Sequence, residues 1–351
     1  MANVRTLYRR TDVLVLSIVL VILSRAAEAK RKDVVIMKNG DHLTGEVKKL
    51  ESGVLYVDLE YVSGSIGVNW LQVEKVESSG GFQVQFKSGQ RVAGTIGKVP
   101  EDAAPGKDFE VRGPTASVQE AAPNVINIES QKHSFWRQLT GSLDVGFSFT
   151  SGNSQTQANS DASVGYLSTK WSGNGSFTSS FSGAPGSSKT NLYEFQTLDE
   201  VFVSRKSFLA GLGDFLHSSQ QDLDLRTTLG GGYGRYLIHT NENVLSWLAG
   251  AVYTHEGYIS DTSSTQNAEG LFGVTYQLFR FDRYNLQSQL FVYPGLSDLG
   301  RVRTTAKTTF SVKLVNNFHT DFSFWDNFDS RPPGGGKRNE LGVSNSIGWT
   351  F

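Results

Sequence analysis

From Leu139 onward, apolar and polar residues alternate within segments of roughly 10–15 residues, a length suited to membrane-crossing strands. The last segment sets Leu341, Val343, Ile347, Trp349 and Phe351 on one face, with Gly342, Ser344, Ser346, Gly348 and Thr350 on the other. Leu143, Val145, Phe147 and Phe149 likewise face away from Asp144 and Ser148, and Phe318, Phe322 and Phe324 face away from His319, Asp321 and Ser323. Period two predicts strands with two differently solvated faces, which a soluble sandwich or a membrane barrel would both show. Twelve such segments start near residues 139, 156, 170, 190, 207, 224, 243, 266, 284, 301, 318 and 340. The breaks between them alternate. Tight ones fall around Ser168, Arg205, Asn241, Phe281 and Asn316, and mostly longer ones at 151–154, 182–190, 217–224, 255–266, 294–300 and 329–339. An even strand count with short turns on one rim and long loops on the other is the rule for outer-membrane barrels. It also brings both barrel ends to the short-turn side.

A different pattern precedes these strands. Val34–Val47 and Val84–Ile96 both read as a strand, a basic-polar-Gly turn (Lys38-Asn39-Gly40 and Lys87-Ser88-Gly89), then a second strand entered through Gly45 or Gly94. Such turns are hairpin signals because primed turns need positive φ. Val73–Ser78 and Val125–Ser130 align as well, so residues 33–79 and 82–131 form a duplicated β-module. The Pro100/Pro105 stretch falls inside the second copy. Each copy has the size of a small Sm-like or Src-homology-type barrel. Trp70, Tyr56 and Tyr61 supply either an aromatic peptide-binding groove or simply core.

The amino terminus has three parts. Arg5, Arg9 and Arg10 precede the apolar run Val13–Leu23, and Ala27-Glu28-Ala29 follows. Basic front, apolar run and small-residue exit make a secretory signal, with cleavage between Ala29 and Lys30. Eleven residues at helical rise cover only about half of a ~30 Å hydrocarbon core. The expected organisation is therefore signal peptide 1–29, modules 33–79 and 82–131, connector 132–138 and barrel 139–351.

Composition adds exclusions. The 351 residues hold 33 Lys plus Arg, 34 Asp plus Glu and no Cys, a formal charge of −1. Near-neutral charge gives no electrostatic case for nucleic acid. Without Cys there is no disulfide, thiolate metal site or Cys nucleophile. A mean hydropathy of −0.27 excludes a polytopic helical membrane protein but not a β-barrel, whose strands are half apolar.

Four motifs in order extend the picture: Gly146–Gln157 (GFSFTSGNSQTQ), Asp222–Ile238 (DLDLRTTLGGGYGRYLI), Pro294–Arg303 (PGLSDLGRVR) and Trp325–Leu341 (WDNFDSRPPGGGKRNEL). With them, residues 139–351 resemble the family known as domain of unknown function 481, the YdiY-like, salt-induced outer-membrane proteins. The resemblance implies an outer-membrane barrel and brings no catalytic or ligand residues. Ile347, Trp349 and Phe351 resemble the insertion signal read by the barrel-assembly machinery. The expected fold is all-β: a 12-stranded antiparallel transmembrane barrel preceded by two tandem small β-barrel modules.

Candidate chemistry is sparse. The glycine run Leu229–Gly234 (LGGGYG) is not a phosphate-binding loop, because it lies mid-strand with no following Lys-Ser/Thr; close backbone packing is the reading. The six His show no close metal-ligand spacing. His217 and His255, with Ser218, Asp222 and Glu256 nearby, are the one group resembling a rim hydrolase, a remote alternative. On the lumen face, Asp144, Asp161, Glu194 and Glu200 sit on early strands, and Arg226, Arg303 and Lys307 on later ones. Segregated, they would set a transverse field across a narrow pore; paired, they would plug it. Twelve strands decide neither, since about 8 fill their interior and 16–18 leave a channel. The expectation is a non-enzymatic outer-membrane protein without cofactor: a narrow pore, or an anchor whose modules meet a periplasmic protein or cell-wall polymer. Its surroundings would be outer-membrane lipid and the assembly machinery, in a Gram-negative bacterium.

Overall fold

The computed structural model describes residues 33–62, 64–97, 99, 106–114, 117–131, 139–150, 155–168, 170–183, 189–260, 264–281, 283–315, 318–332 and 337–350. Ala27, Ala29 and Lys30, the connector 132–138 and Phe351 lie outside the described residues. Among the described residues, all regular structure is β, apart from two short 3-10 turns.

The first repeat contributes β1 (Asp33–Met37), β2 (His42–Glu51), β3 (Val54–Leu59), β4 (Ser65–Asn69) and β5 (Val73–Glu77). The second contributes β6 (Gly81–Phe86), β7 (Arg91–Gly97), β8 (Phe109–Arg112), β9 (Ser117–Glu120) and β10 (Val125–Ser130). Each copy runs in the same order, its last strand beside its first, and each has a 3-10 turn before that last strand. The two tandem small modules expected from the sequence each keep their own strand order, and the structure joins them into one ten-stranded sheet. The join is antiparallel pairing of β10 with β2, Ile128 opposite Leu50 and Glu129 opposite Lys49. The physical reason is the edge: a strand left unpaired seeks a partner, and each copy offers the other one. Side chains from both copies form one apolar cluster, including Val47, Leu50, Leu55, Val57, Trp70, Phe82, Val84, Phe109 and Ile128. Trp70 is 1 % exposed, stands edge-on to Phe109 at 5.9 Å, and donates Nε1–H to the Ala122 carbonyl at 2.8 Å. It is core and cross-link, not a groove wall; Tyr61, 77 % exposed, is outside.

The barrel strands are β11 (Thr140–Thr150), β12 (Gln155–Leu167), β13 (Trp171–Gly183), β14 (Thr190–Phe202), β15 (Ser207–Ser218) and β16 (Leu223–His239). They continue through β17 (Asn243–Tyr258), β18 (Ser264–Arg280), β19 (Tyr284–Pro294), β20 (Val302–Lys313), β21 (Phe318–Asp329) and β22 (Asn339–Thr350). Each pairs antiparallel with the next, and β22 closes on β11 over Ser142–Val145. Closure removes both sheet edges, a requirement in lipid. Leu143, Val145, Phe147, Val343 and Ile347 are exposed on the outer face, while Asp144 and Ser346 are buried on the inner one.

Between successive strands, one rim has connections of only three or four residues (168–170, 203–206, 240–242, 281–283, 314–317) and the other has most of the longer ones. Strands β16, β17 and β18 reach 17, 16 and 17 residues, absorbing positions the sequence pattern assigns to loops. There the ladder is continued by polar pairs such as Arg226 opposite Glu256 and Glu256 opposite Thr265. Inside β16, Gly230, Gly231 and Gly232 hold neighbouring strands close: a Cβ at any of them would run into a backbone carbonyl of Ala251, Ala210 or Ala249.

Candidate functional site

Strand parity turns a row of side chains into the lumen. Along one hydrogen-bonding register lie Asp144, Asp161, Thr178, Glu194, Leu216, Arg226 and Glu256. Three layers follow from the long-loop rim to the short-turn rim.

The first layer is a buried ion lattice. Arg226 donates Nε–H to Glu256 at 2.7 Å, and Arg301, from the 295–301 connection, donates to both Glu256 oxygens at 3.0 Å and to Asp329 at 2.5 and 3.1 Å. Arg226 also lies 3.8 Å from Asp329, and Ser218 donates to Glu340 at 2.9 Å. These contacts run from β16 to β21 and from β15 to β22. Such strands are near-opposite in a ring of twelve, so the bonds cross the lumen. Arg303 forms a second pair with Glu269, and Thr254 donates to Glu269 at 2.6 Å while accepting from Arg303 at 3.0 Å. None of these charged groups is more than 5 % exposed. Buried charge is tolerable only when paired in this way.

The second layer is apolar. Phe208, Ala210, Leu248, Val252, Leu271 and Tyr293 cluster inside the barrel, with Leu198, Phe202, Tyr236 and Phe291 against them. Their bulk is accommodated by the side-chain-free positions of β16 and by Gly250 beside them.

At the short-turn rim the ten-stranded module meets the barrel. The Arg91 guanidinium lies 3.5 Å above the Phe202 ring. Burial pushes its pKa down from the ordinary arginine value, with Tyr236 and Glu200 opposing that shift. Glu200 accepts from the Tyr236 hydroxyl at 2.5 Å and from Ser172 at 3.3 Å. Asn241, in a short turn, donates to the Val125 carbonyl at 2.8 Å, and Gln85 lies 3.4 Å from His239 Nδ1. Gly89 has φ +84°, and any Cβ there would strike the Arg205 carbonyl, so the module's hairpin turn can approach the barrel only as glycine.

All seven lumen charges singled out from the sequence lie on the inner face, but their partners differ. Asp144 contacts His319 at 2.8 Å, and Asp161 accepts from Thr178 at 2.7 Å and lies 3.4 Å from Lys307. Glu194 accepts from Gln196. Arg226 and Arg303 pair with Glu256, Asp329 and Glu269, three acids absent from that set of lumen charges. Their inward parity near strand ends was the available signal; Arg301, in a loop, had none. His217 and His255 sit between inward neighbours on their strands and so point outward, away from Ser218 and Glu256, which are fully buried in the lumen. His217 instead contacts the Asp224 carbonyl at 2.8 Å. The suspected hydrolase group is not assembled.

A family model described as "Protein of unknown function, DUF481" matches residues 143–351. No curated protein matches the sequence. Among solved structures, a NanC porin is similar at 11 % identity and a TM-score of 0.38, over 60 % of this chain and 98 % of that one. The translocator domain of the autotransporter NalP from Neisseria meningitidis is similar at 14 % and 0.36, over 61 % and 86 %. The β domain of the Bordetella autotransporter BrkA is similar at 10 % and 0.32, over 61 % and 98 %.

Proposed function

The chain belongs to the DUF481 family, and on that premise we propose that it is a non-enzymatic outer-membrane protein, closed at rest, that anchors its ten-stranded module at the periplasmic rim. The observation that carries this reading is the lattice of Arg226, Glu256, Arg301 and Asp329 strung across the lumen. A solute would have to break several buried ion pairs to pass, each costing about 3–5 kcal/mol when one partner is lost. The orientation rests on the even strand count, which brings both barrel ends to the short-turn rim where the module contacts Asn241 and Arg205. The outward direction of His217 and His255 supports the non-enzymatic reading. A periplasmic protein or a cell-wall polymer is the partner class for the module.

A narrow gated pore is the second reading. It is favoured by the inner wall of β12, β13 and β22, which is built from small polar residues such as Asn159, Ser172 and Ser346 rather than bulky ones. Planar-bilayer conductance separates the two. The anchor reading expects silence from the full chain and from a chain lacking residues 33–131. Conductance steps from the truncated chain alone would establish the gated pore, and steps from the full chain would overturn the closed state.

A further inference from the structure

We propose that the closing seam of the barrel carries a divalent-cation site formed by Asp144, His319 and Asp321. Strand β22 lies between β11 and β21, and its Gly348 is in register with Asp144 on one side and His319 on the other. A Cβ at Gly348 would overlap both Asp144 Oδ1 and His319 Nε2, so the two donors converge over a position that only glycine leaves open. His319 Nε2 is 2.8 Å from Asp144 Oδ1 and 3.7 Å from Asp321 Oδ2, and the three donor atoms lie within 4.8 Å of one another. Metal–ligand lengths of about 2.0–2.2 Å set neighbouring donors roughly 3.0–3.5 Å apart, so a cation fits after small side-chain shifts.

A second observation points to a missing ligand. Asp321 Oδ1 is buried and, among the described residues, has no hydrogen-bond partner, an arrangement native structures rarely leave unexplained. Two carboxylates face one imidazole, and the charged neighbours on the adjoining wall, Asp161 and Lys307, are occupied with each other. Thr350 Oγ1 lies 3.5 Å from His319 Nδ1, leaving Nε2 turned toward the carboxylates. One imidazole with two carboxylates suits Zn²⁺ and its first-row neighbours better than Mg²⁺ or Ca²⁺, which prefer oxygen alone. Bound there, the ion would tie the first strand to the penultimate one across the last. Binding only the closed state, it would stabilise closure.

The test uses the full mature chain, without a histidine tag, in detergent micelles after chelator treatment. Titration with Zn²⁺ by calorimetry, and with Co²⁺ by visible absorption, should show one cation per chain. Zn²⁺ should also raise the temperature at which heat-modifiable migration is lost. Asp321→Asn and His319→Gln should each weaken binding at least tenfold, while the outward His255→Gln leaves it unchanged. If His319→Gln fails to close, Asp321→Asn decides alone. No saturable binding in the wild type, or equal binding in a closed Asp321→Asn barrel, would overturn the proposal.

Discussion

The module and the barrel are built from the same alternation and bury opposite halves of it. In the module Val47, Leu55, Val57 and Phe82 have no measurable exposure, and most polar positions face water. In the barrel Val145, Phe147 and Val343 are 66–71 % exposed, and the polar positions go inside. The difference lies in the solvent each outer face meets. Water drives the apolar half of a module strand inward at about 25 cal/mol per Å². Lipid removes that drive, and closure of the hydrogen-bond ladder becomes the governing constraint. A polar lumen is thereby free to form charge lattices that a water-facing core would not tolerate.

The largest test is Trp70→Ala. Loss of a buried Trp costs about 3–5 kcal/mol, and here it also removes the bond to Ala122. Limited proteolysis should open residues 33–131 while heat-modifiable migration of the barrel survives; joint loss would mean that the regions are one cooperative unit. Next comes Val145→Arg on the lipid face, expected to cost about 2–4 kcal/mol at mid-membrane depth, read as reduced folding stability in liposomes. A neutral outcome would place that face in water and break the comparison. Thr254→Val is smaller, about 1–3 kcal/mol, because a buried hydroxyl serving Glu269 and Arg303 disappears without leaving a cavity. It should lower barrel stability and leave the module's protease resistance unchanged. The smallest effect concerns acid. Hydrogen bonds from Arg112 and Ser117 hold the Glu110 carboxyl below the usual carboxylate range. Its folded pKa is depressed, so its contribution is present above the unfolded value near 4.3 and is lost as pH falls through the folded one. Protease resistance of the module should drop as the pH falls below about 4.3 in the wild type, and less so in Glu110→Gln.

Local pattern made the barrel strands legible. The strand starts fall within two residues of those expected from alternation and turn residues, because period two and the Gly/Ser/Asn breaks are encoded within each segment. The duplicated order of the module strands was legible for the same reason, through the matched Gly40 and Gly89 turns. The β2–β10 pairing was not, since Leu50 and Ile128 lie far apart in sequence and nothing near either announces the other. The candidate site divides likewise. Parity pointed Asp161, Glu194 and Arg226 into the lumen, but the choice of partner depends on which strands stand opposite once the ring closes. Arg91 was invisible because its neighbour, Phe202, belongs to another region of the fold.

The shared ladder between β2 and β10 bears on how this chain can change over generations. Repeats that fold independently can be gained or lost by recombination, with copy number as a free variable. Here each copy supplies the edge that satisfies the other, and Trp70 of one is hydrogen-bonded to the other's Ala122. Excising either would strip half of a common interior, and a third would find no open strand at that junction. The pairing itself therefore favours a copy number of two, with the pair behaving as a single unit.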